Sequence, residues 1–261
     1  MLSITPIPAF NDNYIWLITE SQGSRCLVVD PGDAAPVRTV LQQKNLSLAG
    51  VLITHHHMDH VGGVEDLLSD YNVPVYGPEK SPAQCLSVRL KDGDQVDVLG
   101  ITFDVVDVPG HTLDHIAYYG AKSDRNTDPV VFCGDTLFAG GCGRVFEGTP
   151  AMMYSSLSRL ADLPADTGVY CAHEYTLANL AFAQAVEPGN GALQARVEAA
   201  KLTRTQGQPT VPSTIGLELA TNPFLRSKTD SVRDSAATHS GETPEDAVQT
   251  FAAIRHWKDC F

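Results

Sequence analysis

The stretch that decides the fold is Thr54-His55-His56-His57-Met58-Asp59-His60, which comes directly after a short apolar run. Side chains at alternate positions of an extended segment point the same way, so His55 and His57 can converge on one metal ion. Asp59 and His60 follow as the chain turns, which displaces them enough to serve a second ion. Imidazole and carboxylate together suit zinc, manganese or iron. The stretch therefore predicts a metal site at the end of a buried strand.

Taken alone, a histidine-rich stretch is also what a surface loop with an accidental metal site would look like. Three later residues argue against that interpretation, because each follows an apolar run of its own: His111, Asp135 and His173. Ligands commonly lie on loops that a rigid scaffold positions, so strand ends can gather them from distant parts of the chain. The sequence thus predicts one site that several strand ends share.

The bulk properties exclude some classes of function. The chain has 261 residues and a net charge of -13, from 18 basic and 31 acidic residues. Binding to nucleic acid depends on cations that neutralise phosphates, so an acidic chain argues against that partner. No stretch approaches the ~20 apolar residues needed to span a bilayer, and residues 1–10 do not resemble a secretory signal. The six cysteines are scattered, as is typical of reduced thiols. We expect a soluble, cytoplasmic protein that binds neither nucleic acid nor membrane.

The apolar pattern changes near residue 174, which predicts two regions. Before it, short apolar runs alternate with loops and predict a mixed α/β body. The predicted strands are 14–18, 26–29, 51–53, 73–76, 95–99, 101–108, 115–119, 130–133 and 168–171, and the predicted helices are 35–45, 64–71 and 150–162. Helix-favouring residues then predict helices at 175–186, 191–206 and 244–258, the last with Pro244 near its first turn. We expect an α/β domain over 1–172 and a helical region over 173–261.

The ligand pattern Thr-His-x-His-x-Asp-His, together with the three later ligands, resembles that of the metallo-β-lactamase superfamily. Within it, the chain is similar nearly end to end to the hydroxyacylglutathione hydrolase (glyoxalase II) family. The similarity is carried by segments 7–14, 134–138, 141–149, 172–176 and 255–259. The resemblance implies an α/β fold of the αββα sandwich type, with the site at one edge of two sheets and a helical C-terminal region that binds substrate.

The resemblance also implies a role for each ligand. The first metal ion would be held by His55, His57 and His111, and the second by Asp59, His60 and His173, with Asp135 bridging the two. A bridging carboxylate suits the ~3.5–4 Å separation of two-metal hydrolytic sites. Asp59 and Asp135 are thereby the implied catalytic residues. We expect two zinc ions, with iron or manganese as alternatives.

The implied reaction is hydrolysis of S-(2-hydroxyacyl)glutathione, with S-lactoylglutathione giving glutathione and D-lactate in the second step of methylglyoxal detoxification. Hydroxide generated between the metals is the implied nucleophile. A thiol of pKa about 8.5 can leave as thiolate without a strong acid. The implied contacts to this glutathione thioester come from Arg144, Phe146, Tyr175, Arg255 and Lys258. We expect the protein to act as a monomer.

Several residues near the pattern keep open interpretations. Arg255 and Lys258 share a helical face that suits one carboxylate, and cations at a solvated helix end would look the same. Phe146 stands where some relatives have tyrosine, and Asp114 where glycine is common. Asp30 either orients a ligand histidine or only forms a turn.

Two histidines in the pattern are not expected to bind metal. His56, between two ligands, is expected to point away from the metals. His115 is expected to be a structural residue or to support a ligand from behind.

Other functions of the same superfamily remain alternatives. A persulfide dioxygenase would need one iron with open positions, whereas this sequence offers seven ligands. An RNA-processing nuclease conflicts with the acidic charge, and a non-catalytic metal-binding module conflicts with the complete ligand set. Cys142 is a rival nucleophile, but no histidine is assigned to activate it, so we expect it to be structural.

Overall fold

The computed structural model of the chain describes residues 2–20, 23–124, 126 and 128–261, with only the backbone of Leu2. The chain forms two compact units. The first unit consists of Met1–Asp107 with Thr112–Gly134, and the second of Val108–His111 with Asp135–Phe261. These units reflect packing, and the division into domains 1–172 and 173–261 remains a prediction.

The first unit is built on two sheets. The first sheet has the strand order β1 (Leu2–Ala9), β2 (Asn13–Glu20), β3 (Arg25–Val29), β4 (Ser47–Leu52), β5 (Val75–Pro78) and β6 (Val88–Leu90). The strands of the second sheet in this unit are β7 (Gln95–Val98), β8 (Ile101–Asp107), β9 (Ile116–Gly120) and β10 (Val130–Gly134). The helices are α1 (Ala34–Lys44), α2 (Met58–Val61) and α3 (Val64–Asp70). The second sheet is antiparallel, whereas β3 to β6 are parallel.

The pairing of β2, β3 and β4 determines the sheet edge at which the candidate ligands of the first unit lie. Parallel strands covered on both faces are continuously apolar, which is why β3 and β4 are apolar runs rather than alternating patterns. The register pairs Trp16 with Val29 and Val29 with Leu52. The start of β2 and the ends of β3 and β4 therefore lie at one edge of the first sheet. Asp33 caps α1 by accepting from the backbone N–H of Ala35.

The second unit is mostly helical. It contains two short strand pairs, β11 (Leu137–Phe138) with β12 (Gly141–Cys142) and β13 (Gly168–Cys171) with β14 (Ser213–Thr214). Its helices are α4 (Pro150–Ala161), α5 (Thr176–Val186), α6 (Gly191–Thr205), α7 (Ile215–Thr221), α8 (Asp230–Ser240) and α9 (Ala247–Cys260). Helices α5 and α6 pack through Leu180 and Ala183 against Leu193 and Val197, and these buried side chains form one apolar cluster.

Every predicted strand and helix has a counterpart, but some elements are missing from the prediction. Helices α7 and α8 are among them, because their helical positions carry serine, threonine, aspartate and glycine, which do not favour helix. The last helix begins at Ala247, where Asp246 accepts from the backbone N–H of Gln249, so the predicted start at residue 244 is too early and Pro244 lies just before the first turn.

All six cysteines are free thiols, and Cys26, Cys133, Cys142 and Cys171 are buried as small apolar side chains. Among the described residues, no helix combines the length and apolar character needed to cross a bilayer.

Candidate metal centre

Four of the predicted ligands lie together in the first unit, on the loop after β4 and on α2. The rings of His55 and His57 have centroids 4.7 Å apart, and those of His55 and His60 are 4.1 Å apart. Asp59 Oδ2 lies 3.5 Å from His60 Nε2. His55 and His60 are fully buried. The structure therefore brings these four predicted ligands close together within this unit.

The Asp30 carboxylate orients two of these histidines from outside the cluster. Its Oδ2 accepts from the Thr54 hydroxyl at 2.7 Å and contacts His60 Nδ1 at 3.0 Å. The Thr54 hydroxyl proton is used on Asp30, so its oxygen accepts from His55 Nδ1, 3.1 Å away. Both histidines then present Nε2 to the cluster, which is the usual arrangement of metal-ligating imidazoles. Of the two interpretations left open by the sequence, this contact favours the one in which Asp30 orients a predicted ligand histidine.

Asn13 is a residue that sequence reasoning missed. Its side-chain amide, which is buried, donates from Nδ2 to Asp59 Oδ2 at 3.0 Å. Asparagine at the start of a strand has no ligand signature, although Asn13 lies in segment 7–14, which carries part of the family resemblance.

The second unit holds the other predicted ligands around Asp135, which directly follows β10. Asp135 Oδ2 lies 3.4 Å from His111 Nε2, and Oδ1 lies 3.4 Å from His173 Nε2. All three residues are buried. One carboxylate that turns each oxygen to a different imidazole has the geometry that a bridging ligand needs.

Backbone groups orient His111. Its Nδ1 lies 2.9 Å from the carbonyl oxygen of Arg144, so Nδ1 is the donor and Nε2 faces Asp135. Gly143 precedes Arg144, and a Cβ there would lie 2.0 Å from the carbonyl oxygen of Asp135 and 3.2 Å from His111 Nδ1. Position 143 therefore requires glycine for the chain to pass this close to two ligands.

Two aromatic side chains of the second unit lie against its ligands. The Tyr175 ring stacks on His173, with centroids 4.7 Å apart and planes 7° apart. The Phe146 ring lies 5.2 Å from the His111 ring and is 62% exposed. These predicted substrate-binding residues thus present open aromatic surface beside the ligands.

The predicted cationic residues of the second unit differ in accessibility. Arg255 is buried, and its guanidinium donates to the Cys142 carbonyl at 3.1 Å and to Asp259 at 3.0 Å. Arg144 extends an open side chain, 67% exposed, with Nε 3.9 Å from Asp259. Lys258 is half-buried and donates to the Ala178 carbonyl at 3.2 Å.

Electrostatics distinguish Lys258 from an ordinary surface lysine. Burial lowers its pKa, and the positive charges of Arg255 and Arg144 lower it further, while Asp259 opposes the change. The positive side chains of Lys258, Arg255 and Arg144 lie close enough together to repel one another. A bound anion would relieve this repulsion.

The two histidines not expected to bind metal have separate partners. His56 Nδ1 lies 2.9 Å from Asp114 Oδ1, so it points to that carboxylate. Burial opposes ionisation of Asp114, but hydrogen bonds from Thr112, His56 and Ser81 outweigh it, and its pKa is lowered. His115 stacks on His55 at 4.5 Å, which agrees with support from behind.

Cys142 does not have the surroundings of a nucleophile. Its thiol is buried, and burial raises its pKa although the Arg255 guanidinium opposes the change. A thiol is reactive as the thiolate, so a raised pKa favours the structural role expected from the sequence.

The residues of each unit fit divalent metal ions. In both units a histidine places Nδ1 on an oxygen acceptor and turns Nε2 towards a carboxylate, namely His60 towards Asp59 and His111 towards Asp135. Mixed imidazole and carboxylate donors with such outer contacts are typical of zinc and iron sites.

Comparison with known proteins agrees with these features. The metallo-beta-lactamase superfamily model matches residues 10–173, and the model of the hydroxyacylglutathione hydrolase C-terminus matches residues 174–261. The hydroxyacylglutathione hydrolase of Pseudomonas fluorescens is 53% identical over all of both chains. The crystal structure of ETHE1 from Myxococcus xanthus matches with a TM-score of 0.65 and 26% identity, over 100% of this chain and 99% of that chain. TTHA1623 in a di-iron-bound form matches with a TM-score of 0.58 and 26% identity, over 85% of this chain and 100% of that chain.

Proposed function

The chain belongs to the hydroxyacylglutathione hydrolase family, thioester hydrolases with the metallo-β-lactamase fold, and we propose that it cleaves S-lactoylglutathione with two divalent metal ions. The observation that carries this proposal is the Asp135 carboxylate, whose two oxygens each lie 3.4 Å from a different imidazole. Such a carboxylate suits a pair of metal ions better than a single one.

The proposed ligand assignment follows the family resemblance. The seven ligands are His55, His57 and His111 for one ion, Asp59, His60 and His173 for the other, and Asp135 for both. The outer contacts of His60 and His111 support it, because each turns Nε2 to its cluster. Zinc is the proposed metal, and iron or manganese would suit the same donors.

Two dications, when bound, would lower the pKa of a coordinated water and polarise the thioester carbonyl. Asp59 and Asp135 supply the carboxylate oxygens of the proposed ligand set, and their negative charge would help to hold the two dications. The leaving group is a thiolate of pKa about 8.5, so the chain needs no strong general acid. The aromatic surface of Phe146 and Tyr175 then serves to bind and orient the substrate rather than to transfer protons.

Recognition of glutathione needs cations, because the tripeptide carries two carboxylates. Arg144 and Lys258 supply accessible positive charge in the second unit. Repulsion from Arg255 and Arg144 lowers the pKa of Lys258, and a bound carboxylate would offset that repulsion. Arg255 is buried against the Cys142 carbonyl, so its contribution to binding is through the local positive field and through the loop it holds.

A persulfide dioxygenase is the second candidate, since ETHE1 matches over the whole chain at 26% identity. That function is less well supported than thioester hydrolysis, because the relative named hydroxyacylglutathione hydrolase is 53% identical over its full length.

The test is a direct comparison of two reactions. Metal-loaded protein should release glutathione rapidly from S-lactoylglutathione and consume no oxygen with glutathione persulfide. Protein stripped by a chelator should lose the first activity and regain it with zinc. A metal-loaded sample that consumes oxygen but releases no glutathione from the thioester contradicts the proposal.

We also propose that the protein acts as a monomer in the cytoplasm, where it detoxifies methylglyoxal-derived thioesters. Six free thiols support a reducing compartment. Light scattering after size-exclusion chromatography tests the monomer, and a dimer mass would contradict it.

A further inference from the structure

We infer that Asn13 is a positioning residue for Asp59 and thereby sets the affinity of the metal ion that Asp59 and His60 hold. This inference rests on the proposed metal centre. It concerns residues of the first unit alone. Asn13 lies at the start of β2, and its Nδ2 donates to Asp59 Oδ2 at 3.0 Å.

The contact fixes which carboxylate oxygen faces the cluster. The oxygen that receives the Asn13 hydrogen bond also lies 3.5 Å from His60 Nε2. Asp59 is in the first turn of α2, a helix of only four residues, and its side chain is 41% exposed. A half-exposed carboxylate on so short a helix can turn about its side-chain bonds, and the Asn13 donor favours one of its orientations.

The donor itself is held rigidly. Asn13 is buried and pairs with Ala9 across the β1–β2 hairpin, so its backbone is fixed by the sheet. The turn begins with Phe10, which has φ +50° although it carries a bulky side chain. Such a conformation persists only where the surrounding structure determines it. The hairpin therefore presents the Asn13 amide at a defined point.

Register explains why this hairpin can reach the ligand loop. Trp16 of β2 is opposite Val29 of β3, and Val29 is opposite Leu52 of β4. The start of β2 thus lies at the same sheet edge as the residues that follow β4. Asn13 and Asp30 act from this edge on Asp59 and His60 respectively.

The experiment measures zinc binding without substrate. Wild-type protein, Asn13→Leu and Asn13→Ser are titrated with zinc against a chromophoric chelator, and bound zinc is counted by mass spectrometry. Asn13→Leu removes the donor with little change in volume, whereas Asn13→Ser keeps a hydroxyl. A matched control is Asn126→Leu, because Asn126 is a buried residue of the same unit whose amide donates only to the Gly120 and Ala121 carbonyls in the described contacts.

We expect wild type and Asn126→Leu to bind two zinc ions tightly. Asn13→Leu should keep one tight ion and bind the other about 10–100-fold more weakly, the range for loss of an outer-shell partner. Asn13→Ser should fall between them. If Asn13→Leu does not fold, as judged by circular dichroism, Asn13→Ala takes its place.

Three results would overturn the inference. The first is that Asn13→Leu binds both zinc ions as tightly as wild type does. The second is that Asn13→Leu and Asn126→Leu weaken both ions to the same extent. The third is that wild type binds fewer than two ions. Because no substrate is used, failure of thioester hydrolysis is seen separately. Wild type that binds two ions yet releases no glutathione would contradict the proposed reaction and leave the role of Asn13 standing.

Discussion

The two units hold their candidate ligands by different means. In the first unit, side chains orient the ligands: Asp30 contacts His60, and Asn13 donates to Asp59. In the second unit, the backbone orients His111, because the carbonyl of Arg144 accepts from its Nδ1. Side-chain support can be removed by an isosteric substitution. Backbone support can be disturbed only by moving the chain.

The difference predicts which substitutions damage each half of the ligand set. In the first unit, isosteric changes in the supporting side chains should weaken metal binding and leave the chain path intact. In the second unit, metal binding should be most sensitive to substitution of Gly143, where a Cβ would push the backbone away from Asp135 and His111. The variants below test this comparison.

The largest effect is expected for Asp135→Ala, which removes a ligand rather than its support. Hydrolysis of S-lactoylglutathione should fall by more than the ~10–100-fold expected for a lost outer contact. Thermal unfolding should show that the fold remains. Near-normal turnover would refute the bridging role of Asp135.

Gly143→Ala should have the next largest effect. Its Cβ would lie 2.0 Å from the Asp135 carbonyl, so the backbone must shift and the Arg144–His111 contact must lengthen. We expect a loss of roughly 100-fold in kcat/KM with weaker zinc binding, at the upper end for an outer-shell contact. The control is Gly189→Ala, where a Cβ would meet nothing within 4 Å. Equal behaviour of the two variants would contradict backbone support.

Asp30→Asn tests side-chain support with little change in shape. The carboxylate accepts from the Thr54 backbone N–H through Oδ1 and contacts the Thr54 hydroxyl and His60 Nδ1 through Oδ2. An amide has only one acceptor oxygen and turns its NH₂ to one of these donors, so zinc affinity should fall by about 10–100-fold. Asp33→Asn is the control, because asparagine caps a helix about as well as aspartate. Chelator competition measures both variants. If Asp30→Asn binds zinc as tightly as Asp33→Asn, the comparison between the units fails.

Lys258→Ala should act on substrate and not on metal. The loss of one charge-assisted contact, worth about 1.5–3 kcal/mol, should raise KM by roughly tenfold or more with a smaller change in kcat. Lys201→Ala is the control, since Lys201 is an exposed lysine of α6 paired with Glu198. Arg255→Ala with Lys258→Ala should raise KM further. Unchanged kinetics in that double variant would exclude the pair from the site.

The smallest effect on activity is expected at Glu187, which lies outside the ligand set and contacts Arg226 at 2.7 Å. Burial opposes its ionisation, but hydrogen bonds from Arg226 and Ser231 outweigh it, and its pKa is lowered from 4.5. A lowered folded pKa adds stability above about pH 4.5 that is lost as the pH falls through the folded pKa. Wild type should therefore exceed Glu187→Gln in unfolding free energy at pH 7, and the gap should shrink on acidification. A gap that does not depend on pH would contradict this.

The sequence identified candidate ligands more readily than the groups that contact them. His55, His57, Asp59 and His60 were singled out because imidazole and carboxylate at this spacing are typical of metal sites. Asn13 was missed because an asparagine before an apolar strand resembles any turn residue. The Arg144 carbonyl was missed for a stronger reason, since a backbone acceptor has no residue type that could reveal it.

The same contrast applies to the fold. Strands such as β3 and β4 were predicted because burial makes them continuous apolar runs. Helices α7 and α8 were missed, because contacts elsewhere in the unit stabilise them against weak local preference. Glu218 of α7, for example, is fully buried and pairs with Arg196 of α6. Tertiary contacts of this kind override the local propensity that sequence reasoning uses.

The central claim is that the chain hydrolyses its thioester with two metal ions. The most direct measurement reloads metal-free protein stepwise with zinc and records bound metal and glutathione release from S-lactoylglutathione in the same samples. We predict that activity rises until two zinc ions are bound per chain and then stays constant. Full activity in metal-free protein, or with one zinc ion per chain, would contradict the claim.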